Sequence, residues 1–183
     1  MRIRALSPTS FRLRTRESIV LLGAPPRRQE ADLVVAPVES QEKQLVKPKK
    51  RDQVFWLPGP GEYEVAGIEI WGGEKGFWVL RQESLKLIYW TSQWRQPSDQ
   101  EIESWGAVAV MIFSLDSDKE MAQKAAAMIR RSSPSIAVVA QSPASKELLD
   151  RLDREDIEPE DELSIKLADL PEETKLVVLK VKS

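Results

Sequence analysis

A chain of 183 residues can bury a core without covalent staples, and this one must, because it has no cysteine; it has no histidine either. The second absence excludes more chemistry, since imidazole is the commonest zinc ligand and the usual general base near neutral pH. The net charge of −2 hides an uneven distribution, with 12 basic and 5 acidic side chains in residues 1–51 against 15 and 24 in residues 52–183, and no stretch approaches the roughly 20 apolar residues of a membrane span.

In chain order, short strands are predicted at Ile3 to Ala5, Phe11 to Thr15, Ile19 to Leu22 and Leu33 to Ala36. Within the second, Phe11 and Leu13 alternate with Arg12 and Arg14, a pattern expected of a solvated edge that discourages aggregation. Between Ala36 and Val54 the sequence turns polar and basic around Pro48, which predicts a surface loop. Strands resume at Val54 to Leu57, Glu62 to Val65, Ile68 to Trp71, Phe77 to Gln82 and Leu85 to Trp90, so the first half is expected to be a β-meander. Within it, Gly59-Pro60-Gly61 supplies turn dihedrals just before the alternation of Tyr63, Val65, Ile68 and Ile70, which predicts a turn feeding a hairpin.

The second half changes period. Ser98 with Glu101, and Ser117 with Glu120, are capping-box signals for helices running to Trp105 and Arg131; Ser142 followed by Pro143 opens a third, to about Arg154. Val108 to Phe113 and Ile136 to Ala140 are apolar runs that suit strands buried on both faces, and Leu163 to Lys166 and Leu176 to Val181 return to strand. Helices alternating with buried strands after a meander predict an α/β sandwich of mixed sheets, in one domain over residues 1–183 with a mainly β half to residue 95 and an α/β half from residue 96.

The segment Gly59-Pro60-Gly61-Glu62-Tyr63-Glu64-Val65, the opening Arg2 to Phe11, the strand Ala31-Asp32-Leu33-Val34-Val35 and the ending from Leu163 through Leu170-Pro171-Glu172-Glu173 to Leu179 together resemble the metallo-β-lactamase fold, in particular its small bacterial hydrolase-like branch. The resemblance spans nearly the whole chain and implies an αββα sandwich, reduced or trimmed, with a zinc site. It also shows what is missing. Where the family places a His-x-His-x-Asp-His loop, this chain has Val38, Ser40, Glu42 and Lys43; where it places its bridging aspartate and its last histidine, this chain has Ser92 and Gln141. Loss at every ligand leaves nothing to lower the pKa of a bound water.

Two other features stand out. Six tryptophans cluster in the middle of the chain; sheet packing accounts for them, while Trp90, Trp94 and Trp105, flanking the Ser92 position, offer an alternative reading as a partner surface. Arg12, Arg14 and Arg16 with the basic stretch Lys43 to Arg51 suggest a nucleic-acid patch, against which stands a pI near 5.5. The reading that follows is a catalytically inactive, metal-free and cofactor-free protein of this fold in a bacterial cytoplasm. It would hold a protein partner or a second copy of itself through the remnant pocket of Val38, Ser40, Glu42, Lys43, Ser92 and Gln141 or through the three tryptophans. A hydrolase with residual activity on oxygen ligands around Glu42, and an RNA-binding protein using the basic N-terminal half, are the alternatives.

Overall fold

The first sheet is built on a period of two. In the computed structural model, which describes residues 1–35, 43–57, 59–74, 76–91, 93–154 and 157–181, β1 (Arg2–Ser7) and β2 (Ser10–Arg14) turn Ile3, Ala5, Phe11 and Leu13 to one face and their four arginines to the other. β3 (Ile19–Leu22) pairs antiparallel with β2, but β5 (Leu33–Val35) and β7 (Phe55–Trp56) then add in parallel. β14 (Leu163–Ser164) closes the far side against β1, giving the order β14-β1-β2-β3-β5-β7.

This corrects two expectations. The first half is not one meander, because parallel neighbours need crossover connections and the stretches between β3, β5 and β7 provide them. Nor do the arginines of β2 guard an edge: β1 and β3 flank that strand on both sides.

The basic stretch is not all loop. β6 (Val46–Lys47) pairs in parallel with β4 (Gln29–Glu30), because Val46 buries against Ile19, Leu21, Ala31 and Val34 on the outer face of the six-stranded sheet. Asp32 fixes this arrangement from inside. Its fully buried carboxylate accepts the backbone N–H groups of Ile19 (2.9 Å) and Lys50 (2.6 Å), so that a charged group is satisfied where water cannot reach.

The second sheet has seven strands in the order β15-β13-β12-β11-β10-β9-β8. β8 (Gly61–Val65), β9 (Ile68–Gly72), β10 (Phe77–Gln82) and β11 (Leu85–Trp90) form an antiparallel run; β12 (Val110–Phe113), β13 (Ile136–Ala140) and β15 (Lys175–Leu179) continue in parallel. The hairpin expected after Gly59-Pro60-Gly61 is present. It turns on Ala66 and Gly67, both at positive φ as a two-residue turn between twisted strands demands, and the Tyr63 hydroxyl donates to the Gly59 carbonyl at 2.8 Å.

Inward residues of both sheets form one core, including Phe11, Leu22, Leu33, Ile70, Leu87, Ile112 and Val138. On the outer face of the seven-stranded sheet lie α1 (Asp99–Trp105), α2 (Lys119–Ser132) and α3 (Pro143–Arg151). Ser98 caps α1 in a reciprocal box with Glu101, and Ser142 caps α3 with Pro143 in its first turn, as the sequence indicates. α2 starts one residue later than expected, since the Asp118 carboxylate, not the Ser117 hydroxyl, accepts the Glu120 and Met121 N–H groups. α3 ends at Arg151, short of Arg154, with Asp153 in a left-handed conformation just beyond it.

Candidate functional site

The carboxyl ends of β3 in one sheet and of β11 and β12 in the other meet at one mouth. From the seven-stranded sheet, the Tyr89 hydroxyl at the end of β11 and the Ser114 hydroxyl just past β12 each donate to the Thr9 carbonyl at 3.0 Å. Thr9 belongs to the turn between β1 and β2 in the other sheet, where the Ser7 hydroxyl lies 2.7 Å from that of Ser10 and accepts the Thr9 N–H at 3.2 Å. Gly23, ending β3, packs beneath. Its N–H donates to the Val35 carbonyl at 3.0 Å, its φ is +80°, and a Cβ there would stand 2.6 Å from the Thr9 oxygen and 2.8 Å from the Tyr89 oxygen.

Over the residues described, the two sheets are therefore tied here by buried hydroxyl groups and backbone. Burial pushes the Tyr89 phenol up to about 12, with the Ser114 hydroxyl pulling the other way, so at neutral pH it is a hydrogen-bond donor and not a base. An acid whose folded pKa lies above its unfolded value stays neutral in the fold where it would ionise in the unfolded chain. Its contribution is whole below about pH 10 and is lost as the pH rises towards 12. Between pH 8 and pH 11 the wild type should lose about 1 kcal/mol more stability than Tyr89→Phe, measured by urea unfolding of both proteins. Equal losses would show that the phenol is not sequestered.

Of the residues singled out in the sequence, Val38, Ser40, Glu42 and Ser92 lie outside those described. Lys43 is exposed and holds its ammonium over the Trp56 ring, 5.6 Å from the centroid. Gln141 is exposed after β13, where its backbone N–H donates to the Leu179 carbonyl at 2.8 Å. The three tryptophans are not a surface, which corrects that reading. Trp90 is wholly buried and Trp94 and Trp105 are 4% exposed, because the outer side of β11 lies under α1 and the segment leading to it. Trp90 sits 4.9 Å from Phe77, 4.5 Å from Trp94 and 5.7 Å from Trp105, and stacks on Phe113 at 6.1 Å. The cluster nears solvent at a cavity of about 320 Å³ lined by Trp71, Phe77 and Trp105 together with Glu62, Glu74 and Glu101.

Sequence reasoning missed Thr9, Gly23, Tyr89 and Ser114. The one local signal was Gly23, a glycine closing an apolar strand. Zinc does not suit this chain's donors: imidazole and thiolate are absent, and among the described residues no group of three or more carboxylates could hold a metal ion.

Two mixed sheets face to face, with the described helices layered outside the seven-stranded one, give a metallo-β-lactamase-like sandwich in the reduced form the sequence suggested. No protein-family model and no curated protein matches the sequence. Among solved structures, the chain is similar to a protein from Thermotoga maritima assigned as a Zn-dependent hydrolase of the metallo-β-lactamase superfamily. The TM-score is 0.77 at 18% identity, over 99% of this chain and 100% of that one. At that identity the likeness is one of fold.

Proposed function

We propose that this protein is a non-hydrolytic member of its fold class that works by binding, without a resident metal. The observation carrying this reading is the donor inventory: a fold whose named neighbour is a Zn-dependent hydrolase is here built from a chain with no histidine and no cysteine. Catalytic zinc that makes hydroxide from water near neutral pH takes three protein ligands, at least two of them imidazole or thiolate, and carboxylates alone suit harder ions. The mouth supports the same reading, because Tyr89 and Ser114 spend their hydroxyl protons on the Thr9 carbonyl and no base stands beside them among the described residues.

Elemental analysis of untagged protein, with an ester and a β-lactam hydrolysis assay on the same preparation, tests this. The expected result is substoichiometric zinc, manganese and iron and no turnover above buffer. A stoichiometric metal that a chelator removes together with activity would overturn the proposal.

A further inference from the structure

The outer face of β1 and β2 carries an arrangement that neither the mouth nor the core explains. Strand register puts Arg2 opposite Arg14 and Arg4 opposite Arg12, so two like-charged pairs face each other across one ladder. Such pairs are destabilising when nothing lies between them. Among the described residues one carboxylate is ion-paired with the group: Glu162, just before β14, bonds Arg4 at 2.5 Å and reaches Arg2 at 3.5 Å. Glu30 also acts on Arg12 through space, but it is committed to Lys49 at 2.7 Å. Arg12 and Arg14 have no ion pair among the described residues.

Concavity and burial sharpen this. The four arginines and Glu162 line a cavity of about 50 Å³, room for one compact headgroup. The Arg12 Nε–H is shielded from solvent and has no acceptor, an arrangement that costs a charged donor dearly unless an acceptor arrives. Burial, and then the neighbouring Arg14 and Arg4, lower the Arg12 guanidinium from its ordinary value, although an arginine remains protonated. Protection of a sheet edge does not account for the cluster, because β14 and β3 flank these two strands.

We propose that this arginine cluster is a binding site for a phosphate-class oxyanion, with Arg12 and Arg14 as its principal donors and Arg2 and Arg4 completing the cradle. Guanidinium forks match phosphate oxygens two at a time, which a lysine cannot do. The ligand adds the negative charge that one glutamate does not supply. A small oligophosphate and a nucleic-acid backbone both present this group, and the test tells them apart. The site lies on the outer face of its sheet, so it does not depend on whether the mouth hydrolyses anything.

The test is calorimetric titration of the full chain with inorganic tripolyphosphate and, separately, with a single-stranded oligonucleotide, at one ionic strength set with sodium chloride, the oligonucleotide titration being repeated at a second, higher salt concentration. Wild type, Arg12→Gln and Arg14→Gln are compared. Saturable binding of at least one probe is expected, weakened roughly tenfold or more in each variant. Without ligand, Arg12→Gln should melt no lower than wild type, since it relieves crowded charge. Tripolyphosphate binding alone assigns a small ligand. Oligonucleotide binding that falls steeply with salt, without tripolyphosphate binding, assigns a backbone. Binding of both assigns the phosphate group itself. No saturable binding of either probe, or binding unchanged by both substitutions, would overturn the proposal, and neither result bears on metal content or hydrolysis.

Discussion

Trp90→Ala is expected to lower the unfolding free energy by about 3–5 kcal/mol, the range for removing a buried large aromatic. Trp90 is wholly buried, and its four ring neighbours come from separate parts of the chain: Phe77 from β10, Trp94 from the segment after β11, Trp105 from α1 and Phe113 from β12. Deleting the indole strips packing from all four at once, and the segment carrying Trp94 and α1 loses its platform. The indole N–H has no acceptor, so the alanine leaves no partner stranded and the loss is one of packing and burial. Trp90→Phe retains a ring and removes that unsatisfied donor, so its cost should be well below half that of alanine. Urea unfolding of both variants checks the pair, and a cost under about 1 kcal/mol for Trp90→Ala would contradict the role assigned to the cluster.

Gly23→Ala should cost about 2–5 kcal/mol, from two separable sources. The left-handed φ of +80° strains any L side chain by about 1–2 kcal/mol. The added Cβ would also stand 2.6 Å from the Thr9 carbonyl oxygen, and that oxygen cannot withdraw without giving up the Tyr89 and Ser114 hydroxyls; overpacking of this kind costs about 1–3 kcal/mol. Gly67→Ala is the matched control. Its φ is +70°, but the nearest atom to a new Cβ is a Glu17 side-chain oxygen 3.8 Å away, so only the backbone strain applies. Chemical denaturation of both proteins should place Gly23→Ala lower by at least about 1 kcal/mol. Equal costs would mean that the mouth is looser than its geometry indicates.

Local signals were legible in the sequence. The caps at Ser98 and Ser142, the hairpin after Pro60, the buried run at Ile136 to Ala140 and the strand Phe77 to Gln82 are written in adjacent residues, and the structure holds them where they were expected. The sandwich of two mixed sheets, in reduced form, was legible through resemblance. What depended on distant partners was not. Alternating arginines read equally well as an edge or as an open face until β14 and β3 take their places, and two-residue strands such as β4 and β6 exist only because Val46 finds an apolar patch. Composition alone could not say whether Trp90, Trp94 and Trp105 lie outside or inside. The tie from Thr9 to Tyr89 and Ser114 spans 80 and 105 positions, beyond the reach of any local pattern.

The last strands carry a consequence for how the protein is made. β14 belongs to the six-stranded sheet and pairs with β1, the Met1 amino group donates to the Ile165 carbonyl at 2.9 Å, and a few residues later β15 completes the seven-stranded sheet beside β13. A chain emerging from the ribosome thus cannot finish either sheet until this closing stretch is free of the exit tunnel. β1 has no outer neighbour until Leu163 and Ser164 have been made. A chain stalled or cut before residue 163 would present the open borders of β1 and β13 at once, the condition under which nascent proteins most need a chaperone.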